Sequence, residues 1–296
     1  MTRLVRILLA FSAFALAAPG AARAMGAGDK EVARVVAFGG SCAKCELSGR
    51  KLSGARFMGA DFSGASLVGA DLRDAKFMGS AFTGSDLSGA DLSDAQIFGA
   101  DFTRATLSNA KLQDVEAKGA SFREATLNGV NASDLSGVGS IFERASLRNA
   151  RFSDANLPGV MMVRADGRDS DFSDANLEDS NLSGSRFDGA NFRDADLRRA
   201  TLTGASFVGA DFRDTDLRGA MLSGADFSRA RHLTQEQIDK ACADASTRLP
   251  SGLVARGCRG VRVMVRVREA AEAPPAPPAP PAPPANPRHL VAVDIP

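Results

Sequence analysis

Residues 70–94 read ADLRDAKFMGSAFTGSDLSGADLSD, and in this stretch a large apolar residue returns at every fifth position. The same phase runs from Leu47 to Phe227, where 33 of the 37 fifth positions are Leu, Phe, Ile or Met. In almost every repeat a small residue precedes the large one by two positions, and a residue type common in turns follows two positions later. Because extended residues two apart share a face, the large and the small residue both point inward. A period of five is neither helical nor a simple strand alternation.

Phe recurs at a spacing of twenty residues, which indicates a coil with four sides. One column holds Phe62, Phe82, Phe102, Phe122 and Phe142. The opposite side holds Phe152, Phe172, Phe192 and Phe212, with Phe187, Phe207 and Phe227 beside them. Leu fills most of the facing positions, so that the volume of the core stays nearly constant from coil to coil.

The large-residue rule fails at four positions, which are Ala117, Ala132, Gly137 and Gly167. At the first three, a larger residue two positions earlier restores the volume. These compensating residues are Val115, Val130 and Leu135. Gly167 has no such neighbour, and we therefore expect a bend, a bulge or a loosened coil between residues 130 and 167.

Segments such as ADLRD at 70–74 and ADLSD at 90–94 resemble the pentapeptide-repeat family, whose repeat is A(D/N)LXX. The resemblance extends over residues 47–231. It implies an all-β fold, a right-handed quadrilateral β-helix with one pentapeptide on each side and twenty residues per coil. Some members of the family mimic duplex DNA and bind gyrase, which requires a strongly acidic surface and a cytosolic location.

Composition argues against nucleic-acid binding, DNA mimicry and catalysis. The chain has 36 Lys and Arg against 35 Asp and Glu, so it lacks the basic excess that binds phosphate backbones. Between 47 and 231, 26 acids and 22 bases are interspersed, and we expect no continuous acidic stripe. Only two His and no Tyr are present, which leaves few groups for proton transfer. We expect neither a nucleic-acid partner nor an enzyme.

Residues 1–24 have the features of an export signal. Arg3 and Arg6 precede an apolar run from Ile7 to Ala18, and residues 22–24 (Ala-Arg-Ala) give a small-x-small cleavage pattern. The run is too short to span a bilayer. We expect cleavage after Ala24, no transmembrane segment in the mature chain, and a periplasmic or secreted location; an uncleaved anchor is the alternative.

The remaining sequence divides into segments that flank the repeats. Residues 25–46 are an N-terminal cap or linker, in which 29–38 form either a helix or a strand. Residues 47–231 form the β-helix, and 232–260 a helical cap, since 234–237 (Thr-Gln-Glu-Gln) is a capping-box pattern that predicts a helix from about Gln235 to Ala245. Residues 261–268 alternate like a strand, 273–287 are a Pro-rich polyproline II spacer, and 290–295 form a short terminal strand.

Four cysteines remain, and an oxidising compartment favours their pairing. Cys242 on the cap helix and Cys258 after it form one candidate disulfide. Segment 234–258 also resembles a C-terminal cap of exported family members. Cys42 and Cys45 form a short disulfide or stay a dithiol, and a thiol–disulfide protein using this pair is the rival function. The sequence offers no catalytic residue set, no cofactor site and no metal site, since His232 and His289 lie far apart and haem attachment requires a His where Glu46 stands.

One outward feature stands out from the repeats. Met58, Met78 and Phe98 follow the inward residue of one side in three successive coils, so they form a row, hereafter the Met row. Arg56 and Lys76 flank it. A stacked apolar row on a surface needs an explanation. Either residues 25–41 or 261–268 of the same chain cover it, or it binds a partner protein or a second copy.

A second candidate surface is the Arg-rich stretch after the cap. Between Ala245 and Arg268 the chain has no acid but six arginines: Arg248, Arg256, Arg259, Arg262, Arg266 and Arg268. This stretch either contacts anionic lipid or cell-wall polymer, or serves as a charged edge strand that resists aggregation. Taken together, the sequence predicts a non-enzymatic, exported scaffold or interaction module of the cell envelope.

Overall fold

The computed structural model describes residues 39–257. They belong to the first of two units of the chain, Met1–Gly260, and the second unit is Val261–Pro296. The predicted signal peptide, the segment 29–38, Cys258, His289 and the tail from 261 onward lie outside the described residues.

The described chain is a right-handed quadrilateral β-helix, as predicted. Residue n pairs in parallel with residue n+20, from Ser41 with Asp61 to Asp211 with Arg231. The amide of Phe62, for example, donates to the carbonyl of Ala81 in the next coil at 2.7 Å. The pairing begins at Ser41, so the first coil includes residues that the sequence assigned to the segment 25–46.

One side of the β-helix is regular enough in two successive coils to form strands, β1 (Arg56–Met58) and β2 (Lys76–Met78). They pair in parallel with Arg56 opposite Lys76, Phe57 opposite Phe77 and Met58 opposite Met78. The other sides within residues 39–257 contain single bridging residues. We call the side of the β-helix that contains β1 and β2 the β1 side.

The corners are tight turns whose third residue has a left-handed backbone. At one corner the amide of Ala65 donates to the carbonyl of Phe62 at 3.0 Å, and Gly64 between them has φ of +64°. Asp74 at another corner has φ of +58°. Gly adopts this conformation freely, and Asp and Asn tolerate it better than most residues. The fifth residue of the A(D/N)LXX repeat is therefore selected by backbone geometry.

The core consists of stacked rings, as the twenty-residue spacing of Phe predicted. The rings of Phe82 and Phe102 lie 4.6 Å apart and nearly parallel, and those of Phe152 and Phe172 lie 5.0 Å apart. The first Phe column ends and the second begins where the rings of Phe142 and Phe152 pack edge-to-face, with their centroids 5.9 Å apart. Aromatic stacking thus continues through the change of side.

The predicted irregularity between 130 and 167 is wrong. The bridges continue without interruption from Ser146 through Asp166 to Arg186. The space at Gly167 is occupied by the ring of Phe187 from the next coil, which would lie 2.2 Å from a Cβ at that position. Phe187 in the next coil therefore supplies the missing volume, whereas the sequence-based expectation considered only neighbours along the same strand.

Helix α1 (Gln235–Lys240) closes the described C-terminal end. Thr234 and Gln237 form the predicted capping box, and Ile238 is buried in the core. The helix is shorter than predicted, because Ala241 is extended and Cys242 returns to the sheet, where its amide donates to the carbonyl of Ala220 at 2.8 Å. The chain therefore adds further pairing to the β-helix where the sequence predicted the last helical turn.

Candidate interaction surface

The Met row lies on the strands that the structure makes most regular. Phe57 and Phe77 point inward and are fully buried, whereas Met58 and Met78 point outward with 49 % and 44 % of their surface exposed. Their Cα atoms are direct partners across β1 and β2. The predicted phase of the row, outward and in line, is what the backbone shows.

Arg56 and Lys76 form a pair of like charges beside the two methionines, hereafter the cation pair. The two residues are partners in the parallel ladder. Among residues 39–257, neither makes an ion pair with a carboxylate. Like charges directly opposite each other on neighbouring strands are destabilising. This arrangement is locally unfavourable in the isolated chain.

The row ends at a residue that the sequence analysis missed. Phe98 is half-buried, and the ammonium of Lys118, one coil further on, lies 5.9 Å from the centre of its ring. This is a cation–π contact at its outer range. Reading the column at twenty-residue spacing beyond Phe98 would have found Lys118.

A surface hollow of about 290 Å³ is lined by the cation pair and the two methionines. Its lining consists of Arg56, Phe57, Met58, Lys76 and Met78. The hollow combines two cationic groups with two thioether side chains over strands whose backbone is fixed by the ladder. It can accept a small group that is anionic on one side and apolar on the other.

The other end of the β1 side has a different surface. There Arg198 contacts Glu178 at 3.3 Å and Asp196 at 2.6 Å, and Arg199 contacts Asp179 at 2.8 Å. The neighbouring Arg218 pairs with Asp216, and its hydrogen bond holds the pKa of that carboxyl below its ordinary value. Charges at this end are satisfied within the fold.

A column of eight aspartates occupies one corner of the β-helix, and the sequence analysis missed it. Its members are Asp74, Asp94, Asp114, Asp134, Asp154, Asp174, Asp194 and Asp214. All eight have left-handed backbones and are exposed. Neighbouring strands lie about 4.8 Å apart, so the carboxylates are closely spaced. Of the eight, only Asp194 makes an ion pair within the described chain, with Arg193. The expectation that no continuous acidic stripe forms is therefore wrong.

The cysteine pair lies inside the first coil. Cys42 takes the inward large position and Cys45 the inward small position of the next repeat, and the two form a disulfide with Cα atoms 5.2 Å apart. Each residue is only 5 % exposed. The bridge thus takes the place of an apolar pair in the core. Cys242 is buried, and its predicted bridge to Cys258 involves a residue outside the described range.

His232 lies at the junction between the last coil and the cap. Its Nδ1 is 2.8 Å from a carboxylate oxygen of Asp211, and its Nε2 is 2.9 Å from the guanidinium of Arg213. It also lines a groove of about 720 Å³ with residues of the last coil and α1. The contacts tie the cap to the coil.

Two arginines of the predicted basic stretch are paired within the fold. Arg248 contacts Asp226 at 3.2 Å and Arg256 contacts Asp239 at 2.9 Å. Arg262 and Arg266 lie outside the described residues. In the described range, no cluster of His, Cys, Asp and Glu is arranged to hold a metal ion. Across the same residues, no helix has the length and apolar character needed to cross a membrane.

The repeats match the family model described as pentapeptide repeats in eight copies. The matched residues are 41–79, 75–114, 100–134, 138–166, 170–207 and 195–231. Comparison with curated proteins gives no match.

Solved structures of pentapeptide-repeat proteins are also similar to this chain. HetL from the cyanobacterium Nostoc sp. strain PCC 7120, involved in heterocyst differentiation regulation, is 24% identical, with coverage of 75% of this chain and 99% of its own and a TM-score of 0.30. QnrB1, a plasmid-mediated fluoroquinolone resistance protein, is 22% identical, with coverage of 61% and 91% and a TM-score of 0.28. The family model spans more than half of the chain in the phase that the buried columns show, and the protein belongs to the pentapeptide-repeat family.

Proposed function

We propose that the protein is a non-enzymatic, exported interaction module of the cell envelope that binds a partner protein through the Met row. The observation that supports this most directly is that Met58 and Met78 are exposed beside the cation pair, which has no carboxylate partner among residues 39–257. Nothing in the packing of the β-helix requires apolar residues at these outward positions. Pentapeptide-repeat proteins are generally structural or interaction proteins.

The rigidity of the β1 side favours binding. Association loses free energy when flexible side chains and loops become ordered. The backbone beneath the row is already fixed, since Met58 pairs with Met78 and the rings of Phe57 and Phe77 stack at 5.0 Å beneath them. A partner has to order only the ends of a few side chains.

Export is part of the proposal and is supported by two features. Residues 1–24 have the composition of a signal peptide. The Cys42–Cys45 disulfide is of a kind that persists in oxidising compartments. A fusion of residues 1–30 to a reporter active only in the periplasm tests export independently of the binding surface. The basic tail with Arg262 and Arg266 is a second candidate surface, for an anionic polymer or membrane.

A thiol–disulfide role for Cys42 and Cys45 is less well supported. Reactive cysteines lie in exposed, electropositive environments, whereas both of these residues are buried in the core. We expect that the native disulfide resists mild reductant and that the protein does not reduce a substrate disulfide. A thiol count before and after reduction, together with a reductase assay, distinguishes a buried structural disulfide from a redox-active one.

The central test compares two triple variants in capture from an envelope extract. The first is Met58→Ser, Met78→Ser and Phe98→Ser. The matched control changes three outward residues on other sides, Val68→Ser, Met161→Ser and Met221→Ser, which have similar exposure. We expect both variants to fold, and only the first to lose the captured partner.

Two results would contradict the proposal. If the Met-row variant captures every partner of the wild type, the binding site lies elsewhere. If hydrogen exchange shows β1 and β2 strongly protected in the isolated monomer, and removing the terminal segments abolishes that protection, the chain covers its own row.

A further inference from the structure

We infer that the Met row and the cation pair recognise an extended segment of the partner with an acidic residue and an apolar residue two positions apart. This inference rests on the proposed function and names the chemistry of the partner. The carboxylate lies between Arg56 and Lys76, and the apolar side chain lies on Met58 and Met78.

The spacing follows from the geometry of β1 and β2. Arg56 and Met58 are two positions apart on an extended strand and point to the same face, as do Lys76 and Met78. The distance between such side chains is about 6.6 Å at the usual strand rise. An extended peptide that lies along the two strands, over the line between them, presents its own alternate side chains at the same interval. Acid-x-apolar in the partner therefore matches cation-x-Met in this protein.

The molecule itself shows how it satisfies like charges that are stacked on consecutive coils. Arg148 and Arg168 share the carboxylate of Asp166, at 2.7 and 2.8 Å. Arg198 and Arg218 share Asp216, at 3.9 and 2.5 Å. In both cases an acid lies between two cations twenty residues apart. The cation pair has the same stacking but no such acid within the described chain, and a partner carboxylate would supply it.

Charges around the hollow favour an anionic group at this end. The first coil, residues 41–60, contains four bases and a single acid, Glu46. The bases are Lys44, Arg50, Lys51 and Arg56. Asp74 at the adjoining corner and Glu116 beside Lys118 are the opposing charges on this part of the β1 side, and neither pairs with Arg56 or Lys76 in the described structure.

The test uses the mature full-length protein with its methionine methyl groups labelled for NMR. The probe is a synthetic peptide with one Glu and one Leu two positions apart in a Ser/Gly background, acetylated and amidated. A second peptide of the same composition separates Glu and Leu by three positions, and a third replaces Glu by Gln. The methyls of Met161 and Met221, which are exposed on another side, are internal controls.

We expect the first peptide to shift the Met58 and Met78 methyls and to leave Met161 and Met221 unchanged, with a dissociation constant of about 1 mM. The three-position peptide and the Gln peptide should bind at least several-fold more weakly. Exchanging both cations, Arg56→Gln with Lys76→Gln, should weaken the first peptide by about three- to tenfold, as for two exposed ion pairs.

Three results overturn the inference. The Met58 and Met78 methyls do not respond, or they respond equally to all three peptides. Alternatively, they respond to anionic phosphatidylglycerol vesicles but not to peptide, which makes a membrane the occupant. Finally, they shift on dilution of the protein alone, which makes a second copy the occupant. If the Met-row variant still loses its captured partner while the peptide does not bind, the proposed function stands and only the acid-x-apolar chemistry fails.

Discussion

The two ends of the β1 side both have a buried apolar interior, but their outward surfaces differ. Beneath β1 and β2 lie buried Phe57 and Phe77, and beneath the other end lie buried Leu residues such as Leu197. Outside, the first end presents Met58 and Met78 next to like charges, and the second presents a network in which Arg198 contacts three carboxylates. The repeat thus fixes what points inward and leaves the outward positions unconstrained.

The difference between the ends shows where to look for function in such a fold. Outward residues of a repeat contribute little to packing, so their identity is available for selection by a partner. At the end that contains Arg198, hereafter the ion-pair end, the charged side chains pair with one another within the fold. At the Met-row end, apolar side chains are exposed, and Arg56 and Lys76 have no carboxylate partner among residues 39–257. Departures from locally favourable chemistry are expected at functional sites.

The largest expected effect tests whether the interiors of the two ends are equivalent. Phe77→Ala should cost about 3 to 5 kcal/mol and Leu197→Ala about 2 to 5 kcal/mol, since both leave a cavity in a packed core. Met78→Ser, one residue from Phe77 but outward, should change the free energy of unfolding by less than about 0.5 kcal/mol. Urea denaturation measures all three. A small cost at Phe77 or a large one at Met78 would mean that the inward and outward assignments are reversed.

A second prediction concerns the region between the two ends, where the Phe columns change side. Gly167→Ala should cost about 1 to 3 kcal/mol, because the new methyl would overlap the ring of Phe187. Gly167 does not have a left-handed backbone, so the cost is steric. Phe187→Leu in the Gly167→Ala background should recover part of the loss, although Phe187→Leu alone is destabilising. Additive losses in this double-mutant cycle, followed by thermal denaturation, would show that the ring does not fill the space over Gly167.

A third prediction compares two basic residues in the same outward column. Arg198→Ala removes contacts to Glu178, Asp196 and Asp216 and should lower the midpoint of urea denaturation. Lys118→Ala should lower it by less, since among residues 39–257 this lysine makes no ion pair with a carboxylate and its ammonium lies 5.9 Å from the centre of the Phe98 ring. In 1 M salt the difference should shrink, because exposed ion pairs are screened. Equal losses that persist in high salt would remove the distinction between the two ends.

The fold could be predicted from the sequence because five-residue and twenty-residue periods report the core directly. Every fully buried Phe column was visible as a spacing. The compensation at Gly167 could not be seen as a spacing, because the ring that fills the space belongs to Phe187 in the next coil and not to a neighbour along the same strand. The shorter α1 was missed for a related reason: capping signals locate the start of a helix, whereas its end depends on Cys242 pairing with the previous coil.

The candidate site was predictable only in part. The Met row was found because its residues follow the inward residue of one side, and the cation pair was found because its residues precede that inward residue. The aspartate column was missed because acids were counted along the sequence, where they alternate with bases, and not along a corner, where Asp114, Asp134 and Asp154 are consecutive. Arg198 forms ion pairs, and Arg56 forms none with a carboxylate among residues 39–257. This difference depends on side-chain contacts between coils, which a sequence period does not reveal.

The smallest expected effect is a pH dependence that belongs to only one end of the β1 side. The guanidinium of Arg218 lowers the pKa of the Asp216 carboxyl from its ordinary value of 3.8, so this group stabilises the folded state above that pH. The contribution is lost as the pH falls through the lower pKa of the folded state. Asp216→Asn should therefore be less stable than the wild type at pH 7, by less than about 1 kcal/mol, and the gap should close as the pH falls below about 4. Lys76→Gln at the other end breaks no ion pair with a carboxylate among residues 39–257, and its urea midpoint should run parallel to that of the wild type. Urea midpoints measured from pH 7 down to 3 test this prediction. If the midpoint of Asp216→Asn also runs parallel to that of the wild type, Arg218 does not hold the carboxyl in its charged form. The charges at the Arg198 end would then be no better paired than those at the Met-row end.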